Sequence, residues 1–140
     1  MQGARRIPWG RRKRLKREET AMRIAFASED NQGLKGSLSA HFGRCPYYTL
    51  VDLDGNKVLD IKVVANPYFN SHVPGAVPEF IKSQGAQVII AGGMGPRAID
   101  LFNQFGIEAV TTGAQGPLED ILTAYLRGDI KGAWGCEHHR

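Results

Sequence analysis

Side chains able to bind metals or anions gather at three places along this 140-residue chain. His41, Arg44 and Cys45 fall within five positions, His72 stands alone in a later loop, and Cys136, His138 and His139 crowd the C-terminus. Thiolate and imidazole groups suit zinc, copper(I) or iron–sulfur species better than magnesium or calcium, which prefer oxygen. The spacing does not make a closed zinc site, because no Cys-x-x-Cys pair exists. No glycine-Ser-glycine nucleophile elbow and no His-Glu-x-x-His helix is present either, so the residues favour binding over catalysis. Cys136-x-His138-His139 lies in a glycine-broken tail and reads as an auxiliary arm or an adventitious metal binder.

A further stretch contributes backbone rather than side chains. Val88-Ile89-Ile90-Ala91 is too short for an ordinary helix and rich in β-branched residues, so it reads as a central strand buried on both faces. Gly92, Gly93 and Gly95 follow with Met94 between them, and Pro96 opens a helix carrying Ala98, Ile99, Leu101, Phe102 and Phe105. Free N–H groups at such a corner favour an anion, which makes the loop a candidate ligand contact. The plainer alternative is a tight turn that binds nothing, since the loop matches neither a P-loop nor the full dinucleotide fingerprint.

The elements that must position these groups follow from periodicity. Met22–Ser28 alternates as a first strand, Tyr48–Leu53 is a second, Asp54-Gly55-Asn56 a hairpin turn and Lys57–Ala65 a third strand antiparallel to the second. The polar loop 29–39 is long enough to have a task of its own. A helix is expected over Pro74–Ser83 with Val77, Phe80 and Ile81 on its apolar face, ended by Gly85. Ile107–Thr111 is a fifth strand, and the helix after Gln115-Gly116-Pro117 places Leu118, Ile121, Leu122, Tyr125 and Leu126 on one face. The order predicts one α/β domain, a mixed sheet with helices on its faces.

Composition bounds the function. No apolar run approaches the ~20 residues needed to span a bilayer, and no secretory h-region is seen, so the expected home is cytoplasmic with no membrane partner. In that reducing setting two distant cysteines are expected as free thiols or metal ligands. Residues 1–21 hold eight Lys or Arg and two Glu, whereas residues 22–140 hold ten basic and twelve acidic side chains. The domain itself therefore has no general attraction for phosphate backbones. The basic lead, expected to be disordered, is either a polybasic arm or translated leader upstream of a natural start at Met22. Lys16-Arg17-Glu18-Glu19 can be encoded by a purine run like a ribosome-binding site, which favours the leader.

His41-Phe42-Gly43-Arg44-Cys45-Pro46-Tyr47-Tyr48, His72, Val88 to Ala98 and Phe105-Gly106-Ile107-Glu108-Ala109-Val110 together resemble the dinitrogenase iron–molybdenum cofactor-binding family of nitrogenase accessory proteins. The resemblance covers residues 22 to about 131 and leaves 132–140 as a flexible tail. It implies a ribonuclease-H-like, three-layer α/β/α fold with a mixed five-stranded sheet. It also implies a non-catalytic carrier of an iron–sulfur or iron–molybdenum cluster, with cluster donor or acceptor proteins as partners and a monomer or weak dimer as its state. By position it makes His41, Arg44, Gly92, Gly93, Met94 and Gly95 cofactor-binding residues and Cys45 and His72 metal ligands. For His72 the alternative is an ordinary loop histidine; for Arg44 it is a salt bridge to the 29–39 loop. Removing Cys45 and His72 is expected to weaken cluster retention while barely moving the melting temperature, because both sit in loops. The rival function is a regulatory or nucleic-acid-binding module using the basic lead.

Overall fold

The middle of the sheet is β1 (Ala21–Ser28), whose side chains alternate between two apolar clusters. The computed structural model describes residues 21–70, 73, 75–113 and 116–130. β1 pairs antiparallel with β2 (Tyr47–Asp54), which turns through Gly55, at φ +64°, into the antiparallel edge strand β3 (Lys57–Ala65). On its other side β1 runs parallel to β4 (Val88–Ala91), and β4 runs parallel to β5 (Glu108–Thr111). The order is β3-β2-β1-β4-β5. β4 is buried on both faces as its composition requires, but the central position belongs to β1, which has a neighbour pair on each side.

Among the described residues three α-helices complete the layers: α1 (Ala76–Ser83), α2 (Pro96–Gln104) and α3 (Leu118–Leu126). α1 and α2 cover the face formed by Ala25, Ala27, Leu50, Ile89 and Ala109, where Val77, Ile81 and Phe102 are buried. α3 covers the opposite face, placing Leu118, Ile121 and Leu122 against Phe26, Ile90 and Val110. This is the expected three-layer α/β/α arrangement with a mixed five-stranded sheet. α1 starts two residues later than the periodicity suggests, because Gly75 holds a left-handed φ of +81° that no helix can contain.

The strand directions put the carboxyl ends of β1, β4 and β5 at one edge, joined there by the start of β2 and the end of β3. Every long connection meets at this edge. The 29–39 loop crosses it as a packing element, since Leu38 is buried under α3 and bridges Ser28, while the Leu118 amide donates to the Gly36 carbonyl at 2.9 Å. α3 then runs back to the opposite edge, where the Tyr125 hydroxyl donates to Glu108 at the start of β5. Ile130, the last described residue, packs on that α3 face.

Candidate functional site

After the 29–39 loop the chain passes directly over the carboxyl ends of β1 and β4. The Ser39 amide donates to the Ala27 carbonyl at 2.7 Å, and the Gly92 amide donates to the Ser39 carbonyl at 2.8 Å. His41 then lies beside Gly93 in a parallel bridge. This contact explains a glycine: a Cβ on Gly92 would sit 2.8 Å from the Ala40 Cα, a backbone collision that no rotamer relieves. A Cβ on Gly93 would meet the Ala40 carbonyl oxygen at 3.4 Å, an ordinary contact, and Gly95 has open space around it. Gly95 is the residue before α2, with Pro96 opening the helix where a missing N–H costs nothing.

Between this crossing and α1 lies an open cleft of about 990 Å³, within the range of small-molecule and cofactor sites. Its basic side chains are His41, Arg44 and Arg97; its apolar walls include Phe42, Tyr68, Phe69, Met94 and Leu101. Among the described residues no Asp or Glu lines it. His41, Arg44 and Arg97 are exposed, and the ion pairs of the described residues, Arg23–Asp52, Lys35–Glu119 and Arg127–Asp129, leave both cleft arginines out. The salt bridge from Arg44 to the 29–39 loop is therefore not formed among the described residues. The described lining of the cleft is thus basic and apolar.

Of the residues singled out in sequence, the structure brings His41, Arg44, Gly93, Met94 and Gly95 to this cleft, with Gly92 directly behind it. It does not bring Cys45. That side chain is 1% exposed in the core beneath α1, its thiol directed at the Phe42 carbonyl at 3.5 Å, and burial pushes its pKa from 9.0 up to about 11. A thiol held protonated under the rim is a poor metal ligand. The expectation that its removal would spare the melting temperature fails for the same reason, since Cys45 is core rather than loop surface. Tyr48 is likewise buried, its hydroxyl donating to the Phe42 carbonyl at 2.5 Å, so it anchors the rim without facing a ligand. His72, Cys136, His138 and His139 lie outside the described residues.

Sequence reading missed Arg97, Tyr68, Phe69 and Asn66. Arg97 follows Pro96 directly and was legible as the first-turn side chain of a helix at the glycine corner. The other three carry no periodic signal; only the folding of the 66–70 loop against the 41–45 segment gives them a position. Among the described residues no three His, Cys, Asp or Glu side chains are grouped so as to hold a metal ion.

An α/β/α domain with a cleft at the carboxyl ends of its parallel strands belongs to the open-sheet α/β proteins. Residues 21–128 match the family described as dinitrogenase iron-molybdenum cofactor, and the chain belongs to that family, which makes it a cofactor-related accessory protein. It is 39% identical to PH0822, whose crystal structure aligns with a TM-score of 0.69 over 81% of this chain and 97% of that one. The apo form of the orange protein from Desulfovibrio gigas aligns with a TM-score of 0.69 at 26% identity, covering 80% of this chain and 92% of that one. An uncharacterized protein of Methanocaldococcus jannaschii is 26% identical over 112 residues, 79% of this chain and 90% of its own length. No helix among the described residues is long and apolar enough to cross a membrane.

Proposed function

We propose that the chain is a non-catalytic carrier that holds an anionic iron–sulfur or iron–molybdenum type cluster in the cleft and passes it from a donor to an acceptor protein. The observation that carries this reading is the lining itself: Arg44, Arg97 and His41 without a carboxylate among the described residues, beside the Met94 thioether and aromatic walls. A bare metal ion would need several protein donors. An assembled cluster brings its own sulfide and carboxylate ligands, and asks of the protein only charge, shape and soft contacts. Attachment through exposed arginines is weak enough to reverse, as delivery requires, and it is screened by salt.

The test is anaerobic. The full chain is reconstituted with iron, sulfide and molybdate, or mixed with a preformed, thiolate-capped four-iron, four-sulfide dianion, and passed through gel filtration with visible spectra and metal analysis. Cluster absorption is expected to travel with the protein, to fall with added salt and to be largely lost in Arg44→Gln/Arg97→Gln. Absence of retained cluster, or retention indifferent to salt and to both substitutions, sinks the reading. The rival nucleic-acid function rests on the basic lead, whose residues 1–20 lie outside the described structure. Salt-sensitive DNA or RNA binding that disappears on deleting that lead would favour the rival.

A further inference from the structure

Two rims of the cleft come from segments more than twenty positions apart: 41–45 supplies His41, Phe42, Gly43 and Arg44, and 66–70 supplies Tyr68, Phe69 and Asn70. One side chain joins them. Asn66 is 5% exposed, and its amide nitrogen donates to the Gly43 carbonyl at 3.0 Å and to the Cys45 carbonyl at 2.8 Å. Its amide oxygen accepts the Tyr68 N–H at 2.9 Å. The Asn66 backbone adds two more bonds, its N–H to the Pro46 carbonyl at 2.9 Å and its carbonyl from the Phe69 N–H at 3.2 Å. Both donor hydrogens and the acceptor of one buried amide are thus spent on holding loop backbone, at the point where neither segment has a sheet ladder to hold it.

We propose that Asn66 is the positioning residue of this cleft: it sets the distance between Arg44 on one rim and Tyr68 and Phe69 on the other, and so decides whether an anionic cargo meets charge and apolar wall together. Neither Asp nor Ala does both halves. Asp keeps the oxygen that receives the Tyr68 N–H but turns a second acceptor towards the Gly43 and Cys45 carbonyls; Ala keeps neither. The cargo part of this inference rests on the carrier reading above, whereas the clamp itself rests on geometry alone.

The experiment uses the full chain and its Asn66→Ala and Asn66→Asp variants, with the thiolate-capped four-iron dianion as probe, at a temperature where circular dichroism shows each variant folded. Both variants are expected to retain the probe about 10- to 100-fold more weakly, the usual scale for losing a group that orients a binding residue. Amide exchange at Tyr68 should quicken in Asn66→Ala and stay slow in Asn66→Asp, which keeps that half of the clamp. A purely structural role predicts lowered melting temperatures with unchanged affinity of the folded protein, and that outcome overturns the proposal. If the unmodified chain retains no probe, the carrier reading fails by itself. Exchange then decides the clamp, with an unchanged Tyr68 amide in Asn66→Ala refuting it and a faster one upholding it.

Discussion

The two faces of the sheet are built from the same strands but filled differently. Towards α3 the strands present Ile24, Phe26, Val51, Leu53, Val88, Ile90 and Val110, large side chains that one helix and the Leu38 loop are enough to seal. Towards α1 and α2 they present Ala25, Ala27, Ala91 and Ala109 among fewer large residues, and the volume is made up by Tyr48 of β2 and by rings from outside the sheet, Phe102, Phe42 and Phe80. Phe42 meets Phe102 edge-on at 5.7 Å, so the rim of the cleft is itself part of this packing. Alternation along each strand makes such a division possible, because neighbouring residues point to opposite faces. The lesson is that the cleft lies on the half where the sheet contributes least volume, and the other half is sealed where it contributes most.

Phe26→Ala tests that division most severely. Truncating a fully buried ring on the α3 face is expected to cost about 3–5 kcal/mol in urea unfolding while leaving probe binding by the folded fraction unchanged. Loss of binding in proportion to stability would show that the faces are not separate.

Cys45 offers a titration of the cleft face. Its pKa is raised in the folded state, from 9.0 to about 11, so the folded thiol keeps its proton while the unfolded one ionises. Stability is therefore fully present below pH 9 and lost as pH rises from 9 towards 11, by up to about 2.7 kcal/mol at 1.36 kcal/mol per pH unit. Tyr48, also raised by burial, adds to the loss above its ordinary value of 10.0. Between pH 9 and 10 the slope should flatten in Cys45→Ala; an identical slope would assign it elsewhere.

Two glycines sharpen the comparison within the corner itself. Gly92→Ala drives a Cβ into the Ala40 backbone and is expected to cost about 1–3 kcal/mol and to weaken probe binding by displacing His41. Gly95→Ala meets open space at a φ of −77° and should stay within about 0.5 kcal/mol. Equal costs would mean that the crossing of residues 39–41 over β4 is not tight. Smallest of all is the stability change in Arg44→Gln/Arg97→Gln, expected within about 0.5 kcal/mol because both side chains are exposed and unpaired among the described residues, even as cargo binding falls. A large drop in melting temperature would give these arginines a structural task.

Most of the fold could be read from residue order. Strand Lys57–Ala65 was placed to the residue, as were the hairpin turn at Gly55 and the glycine stop at Gly85, because two-residue and 3.6-residue periods and positive-φ glycines are local properties of the chain. The glycine corner and His41 and Arg44 stood out as candidates on their residue types and Met94 through the family resemblance, and all of them fall at the cleft. What sequence alone could not determine is direction. Cys45 lies one residue from Arg44, yet one side chain enters the core and the other reaches solvent; no period governs a loop, so only its nonlocal partners, here Asn66 and Tyr48, decide which way each points. Strand order was equally out of reach, because adjacency in a sheet depends on pairing between segments far apart in the chain. That order makes β1 the centre and brings the 41–45 and 66–70 segments to one edge.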